Sequence, residues 1–79
     1  MKEILFFSSN TCKPCESVKR ILSEEIINEL NIKQYTAESD FEVFIKYEVM
    51  SVPTFIVLEN NNVIHKTYGA KNLKELRNL

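Results

Sequence analysis

Cys12 and Cys15 are the residues whose type and spacing best suit covalent chemistry. Two residues between them, Lys13 and Pro14, put both sulfurs on one helical turn, near enough to close a disulfide. An apolar run precedes the pair and an amphipathic stretch follows, so it sits where a strand gives way to a helix. The amino end of a helix carries unpaired amides and partial positive charge, and both favour a thiolate over a thiol. Lys13 adds a full positive charge beside it. Such sites lower a cysteine pKa from about 8.5 to between roughly 3.5 and 7.5, and the thiolate is the species that attacks disulfides. Cys12, at the helix start and near the loop, is the expected nucleophile. Cys15, one turn along and pointing inward, is the expected resolving thiol.

Three plainer uses of the pair are weaker. A structural zinc site needs four ligands, and beyond the pair the chain offers only His65 as a further soft ligand, so no metal is expected. A loop closed over so few residues stabilises a fold weakly. Chance spacing does not account for the strand, loop and helix around the motif.

The elements that must hold the pair are legible in outline. Ile4–Phe7 reads as a strand buried on both faces, ending at Ser8-Ser9-Asn10. A helix follows from about Cys12 to about Leu30, with Pro14 tolerated in its first turn and Val18, Ile21, Leu22 and Ile26 at helical spacing. Ile32–Thr36 is a second strand. Ser39-x-x-Glu42 spells a capping box ahead of a short helix whose apolar stripe is Phe41, Phe44 and Ile45. Thr54–Leu58 and Val63–Tyr68 form a hairpin around Asn60-Asn61-Asn62, and Asn tolerates left-handed backbone angles. Gly69 breaks the last strand. Asn72-x-x-Glu75 starts a final helix lined by Leu73, Leu76 and Leu79. The expected order is β-α-β-α-β-β-α: an α/β, three-layer fold with a four-stranded mixed sheet and helices on both faces. Phe6, Phe7, Phe41, Phe44 and Phe55 are expected in the core. His65 is expected on a solvated strand, and Tyr47 and Tyr68 in packing roles.

Length and composition agree with one compact unit, residues 1–79. The chain has 79 residues, 44% of them hydrophobic, with one Gly and two Pro. Its formal charge is -1 with Lys and Glu interspersed, which argues against nucleic acid as a partner. Phe55-Ile56-Val57-Leu58, matched in length only by Ile4-Leu5-Phe6-Phe7, is far short of a membrane span, and the first apolar stretch is too brief for a signal peptide. A cytoplasmic monomer is the expectation, and a reducing compartment favours a catalytic pair over a staple.

In this order the motifs resemble the thioredoxin/glutaredoxin superfamily: strand-loop-CxxC-helix at Ile4–Leu30, Ser51-Val52-Pro53-Thr54 entering the third strand, and Tyr68-Gly69-Ala70 after the fourth. The chain looks like a minimal thioredoxin lacking the extra N-terminal strand and helix of full-length members. The resemblance implies a cis bond before Pro53, packed beside the sulfurs. It also implies a shallow substrate groove edged by Thr11, Val52, Thr54, Gly69 and Ala70, with Lys13, Pro14 and Pro53 tuning the site. It implies no bound cofactor beyond the Cys12–Cys15 disulfide. Protein disulfides are the implied substrates, and electrons come from a thioredoxin reductase using NADPH or from glutathione. Departures are visible. Phe6 stands where many thioredoxins bury an Asp, Thr11 stands where Trp usually precedes the motif, and Lys13-Pro14 replaces Gly-Pro. A glutaredoxin is the rival reading, but Gly69-Ala70-Lys71-Asn72 fits its glycine pair poorly. A binding module without turnover would have no need of the intact CxxC.

Overall fold

A computed structural model describes residues 1–79, and the chain folds as β1 (Lys2–Ser8), α1 (Lys13–Ile21), α2 (Glu24–Leu30), β2 (Ile32–Thr36), α3 (Phe41–Lys46), β3 (Thr54–Glu59), β4 (Asn62–Tyr68) and α4 (Leu73–Arg77). The sheet order is β2-β1-β3-β4. β1 and β2 run parallel, while β1–β3 and β3–β4 are antiparallel. Asn60 and Asn61 both take left-handed angles, with φ of 52° and 70°, and close the β3–β4 hairpin.

The central strands β1 and β3 are apolar on both faces because each face meets a helix layer. Ile4, Phe6, Phe55 and Val57 point to one side, where Val18 of α1 and Leu76 of α4 cover them and α2 adds Ile26, Ile27 and Leu30. Leu5, Phe7, Ile56 and Leu58 point to the other, under Phe44 of α3. Phe6 and Phe55 are register partners, and their rings stack 4.9 Å apart at 13°. At the sheet's β2 edge Glu3 pairs with Lys33 at 2.8 Å across adjacent strands, and hydrogen bonding to that carboxylate raises the Lys33 ammonium above its ordinary value.

Three expectations are corrected. The long first helix is two helices. Leu22 leaves helical geometry at ψ 77°, and Ser23 begins again, its Oγ accepting from the Ile26 amide at 3.3 Å. Asn31 ends α2 in the left-handed region, and its side-chain amide donates to the Lys2 carbonyl, which returns the chain beside β1. The Ser39/Glu42 capping box does not form. Asp40 takes the N-cap position of α3, and its carboxylate turns back to accept from the Thr36 amide at 3.0 Å. Phe41 is not core, being 63% exposed, because only Phe44 of the expected stripe faces the sheet. The expected Asn72/Glu75 box does form at α4, with both reciprocal hydrogen bonds present.

Candidate active site

β1 is buried to its last residue, so Ser8 delivers the chain to the sheet end with no slack. The turn after it is held locally. The Cys12 amide donates to the Ser9 carbonyl at 3.3 Å and the Thr11 amide to Ser9 Oγ at 3.3 Å. Cys12 takes the N-cap position of α1 with extended backbone, φ −93° and ψ 110°. A cysteine thus stands where Ser, Thr or Asp usually cap a helix, and Cys12 Sγ accepts from the Cys15 amide at 3.2 Å. Pro14 occupies the first turn, where the missing amide costs nothing. Cys12 and Cys15 are joined as a disulfide, with Cα atoms 5.2 Å apart.

The two sulfurs are not equivalent. Cys12 is 9% exposed and Cys15 0%. Phe6 and Phe55 share the hydrophobic cluster of Cys15, and the buried polar residues of the chain are Ser8 and Thr54, so no buried carboxylate lies there. Lys13, Pro14, Glu16 and Lys19 are exposed on the first turns of α1.

The loop into β3 supplies the second wall. The Val52–Pro53 peptide bond is cis. Val52 packs against the cluster that contains Cys12 and Cys15. The Pro53 carbonyl accepts from the Gly69 amide at 3.0 Å, which brings the end of β4 to the same place. Gly69 has φ 91°, and open space surrounds the position a Cβ would take, so the backbone angle and not crowding calls for glycine. Ala70 shares a surface groove with Ser17 and Ile21 of α1. Thr11 and Ala70 are exposed. Thr54 differs from the rest of the expected groove. It is fully buried, and its hydroxyl donates to the Ser51 carbonyl at 2.6 Å, so it braces the proline loop from behind. His65 is exposed on β4, and no group of three or more His, Cys, Asp or Glu side chains comes together that could hold a metal ion.

Two neighbours of the disulfide loop escaped the sequence reading. The Ala37 amide donates to the Ser8 carbonyl at 3.0 Å, and Glu38 Oε1 accepts from the Asn10 amide at 3.1 Å. The signal was the parallel β1–β2 register, which sets Thr36 opposite Ser8 and puts the next two residues beside the loop.

A profile of the Thioredoxin family matches residues 2–79. The thioredoxin of Bacillus subtilis (strain 168) is 32% identical over 71 residues, which span 86% of this chain and 68% of that protein. Among solved structures, the thioredoxin of Fasciola hepatica superposes with a TM-score of 0.82 at 22% identity, covering 98% of this chain and 75% of that one. The Malassezia sympodialis thioredoxin gives 0.77 at 16% identity, over 92% of this chain and 67% of that one. At these identities the structural likeness speaks to the fold, while the profile and the curated relative speak to the family.

Proposed function

The chain belongs to the thioredoxin family and is a thiol–disulfide oxidoreductase, and from that premise we propose that it reduces protein disulfides, with Cys12 as nucleophile and Cys15 as resolving thiol. The observation that carries the assignment is the difference in access: Cys12 keeps an open edge at the helix start, whereas Cys15 is sealed in the core. The Cys15 amide, aimed at Cys12 Sγ, supports a thiolate there, as does the dipole of α1.

In the reduced protein the Cys12 thiolate attacks one sulfur of a substrate disulfide. That bond breaks, a mixed disulfide forms, and the departing substrate thiolate takes a proton from water. Cys15 then loses its proton and attacks Cys12 Sγ. The mixed disulfide breaks, the second substrate thiolate leaves, and Cys12–Cys15 closes. Two electrons pass from the dithiol to the substrate, and an external reductant restores the dithiol. Thr11, Val52, Gly69 and Ala70 edge the approach to Cys12, while Pro53 shapes its floor and Lys13 adds positive charge at its mouth. The working form is a monomer in the cytoplasm, and the donor is a thioredoxin reductase fed by NADPH. No helix is long and apolar enough to cross a membrane.

Trapping tests the roles. With Cys15→Ser, mixed disulfides accumulate through Cys12, and with Cys12→Ser none form. Accumulation through Cys15 would reverse the assignment. Insulin reduction coupled to NADPH separates the donors: turnover is expected with thioredoxin reductase, and turnover with glutathione alone would replace that donor.

A further inference from the structure

Lys71 follows the Gly69 turn, is half-buried, and has its ammonium fixed by the backbone behind it. Nζ donates to the Tyr68 carbonyl at 2.9 Å and to the Gly69 carbonyl at 3.4 Å. The same atom lies 5.8 Å from the centre of the Phe55 ring, within the distance at which a cation is attracted to an aromatic face. Phe55 is fully buried, is stacked on Phe6 and shares the cluster of Cys12 and Cys15. Lys71 also lines one groove with Ser17 and Ile21 of α1, and Ile21 packs against that same cluster. The ammonium therefore flanks the core of the two sulfurs. No acid neutralises it. The ion pairs of the chain are Glu3–Lys33 and Glu29–Arg77, and Glu75, the nearest acid in sequence, gives its carboxylate to the Asn72 amide. The other charged or titratable side chains on α1, β4 and α4 around this core, Lys13, Glu16, Lys19, His65 and Lys74, are exposed. A fixed cation thus stands beside an apolar core in a chain that buries no Asp or Glu.

We propose that Lys71 is a positioning residue of the redox cycle, its ammonium pinned over Phe55 to stabilise the Cys15 thiolate whenever that sulfur carries charge. The inference rests on the reading of Cys12 as the attacked sulfur and Cys15 as the buried one, and adds a residue to it. Burial opposes a thiolate and a nearby positive charge favours it, and away from bulk water that attraction reaches further. Cys15 is charged at two points. In resolution it has lost its proton to solvent and attacks Cys12 Sγ. In reopening a reductant attacks Cys12 Sγ, the Cys12–Cys15 bond breaks, and its electron pair leaves with Cys15. A stabilised thiolate is more abundant in the first case and departs faster in the second. Lys13, exposed at the start of α1, serves Cys12, so each sulfur has its own cation.

Reopening is tested with tris(hydroxypropyl)phosphine, a neutral reductant whose approach owes nothing to surface charge. Its phosphorus attacks Cys12 Sγ and expels the Cys15 thiolate. Water then converts the phosphonium to phosphine oxide and leaves Cys12 as a thiol, and alkylation followed by mass measurement gives the rate. Lys71→Gln keeps a donor for the two carbonyls without the charge, and Lys71→Arg keeps both. The rate at neutral pH is expected to fall about threefold in Lys71→Gln and to stay at the parent value in Lys71→Arg and in Lys74→Gln, which removes an exposed cation from α4. In single-turnover reduction of a peptide disulfide, Lys71→Gln is expected to displace the pH profile of the second phase by about half a unit to higher pH, the curves meeting at the alkaline plateau. Lys71→Gln at the parent rate overturns the proposal. Equal slowing in Lys71→Gln and Lys71→Arg, or a second phase slowed alike at every pH, also overturns it, since Lys71 would then only pack the turn. Equal slowing by Lys74→Gln overturns it in favour of a diffuse surface charge. Absence of a Cys12 mixed disulfide in Cys15→Ser refutes the reading of the two sulfurs instead, whatever the Lys71 variants do.

Discussion

Attack by Cys15 on a mixed disulfide requires its thiol to lose a proton, and Cys15 is sealed in a hydrophobic cluster in a chain that buries no Asp or Glu. Phe6, stacked on Phe55, fills the ground beneath the sulfurs where a carboxylate could have stood. The proton must then leave to a base arriving from solvent on the Cys12 side. Release of the second substrate thiol is accordingly expected to lag the first attack, with a rate that rises about tenfold per pH unit from about pH 6 to about pH 8. Single-turnover stopped-flow traces check this, and a pH-independent second phase would point to an internal acceptor. Lys13 acts on the other sulfur. An exposed ammonium beside an anion is worth about 0.2–1 kcal/mol, and for a two-electron couple 30 mV is about 1.4 kcal/mol. Lys13→Glu should therefore lower the reduction potential by about 10–40 mV, since the change replaces an attractive charge with a repulsive one. An unchanged or higher potential in glutathione redox titration would remove Lys13 from the account. Both cysteines were legible from their spacing together with the apolar strand before them and the amphipathic helix after. The dry setting of Cys15 was foreshadowed by Phe6 in the first strand, but its completeness depends on Val18, Phe55 and Leu76 arriving from three other elements.

At the scale of elements, apolar patterning located the two central strands, because Ile4–Phe7 and Thr54–Leu58 are buried on both sides and carry no competing period. Helix boundaries were harder to read. Apolar spacing continues from Val18 through Ile26 across the break at Leu22-Ser23, so periodicity alone joins α1 to α2. The overlooked sign is Ser23 followed by Glu24 and Glu25, a capping residue with acids in the first turn. The converse error is Ser39, whose spacing to Glu42 suggested a box that Asp40 pre-empts by bonding the Thr36 amide. Local sequence offers both caps, and the strand end decides between them. If Ser23 does cap α2, then Ser23→Ala costs about 1 kcal/mol of stability and lowers the urea midpoint, while Ser39→Ala leaves it within experimental scatter. Equal losses would restore the box at α3. The apolar wall of α3 was illegible for a related reason: Phe41, Phe44 and Ile45 form one stripe in sequence, yet the six-residue helix buries only Phe44 of the three.

For the whole molecule, redox state and stability are linked through the same sulfur. The fold holds Cys12 Sγ against the Cys15 amide at the start of α1, an arrangement that exists only when the chain is folded. A thiolate stabilised there means that the folded dithiol form gives up its proton more readily than the unfolded one. Such a group adds stability that is lost as pH falls through its depressed folded value and is fully present above the unfolded value of about 8.5. The disulfide form has no thiol to titrate, so its stability lacks this contribution at every pH. The unfolding free energy of the dithiol form, minus that of the disulfide form, is therefore expected to grow between about pH 6 and about pH 8, below the range in which the buried Cys15 thiol, ionising more readily in the unfolded chain, works in the opposite direction. The total gain is about 1.4 kcal/mol for each unit by which folding depresses the thiol. The short loop closed by Cys12 and Cys15 shifts the two curves apart by a pH-independent amount and leaves this slope untouched. Paired urea titrations under reducing and oxidising conditions measure the difference directly. Parallel curves across that range would mean that the fold does nothing for the Cys12 thiolate, and the helix start would then serve only to place the sulfur.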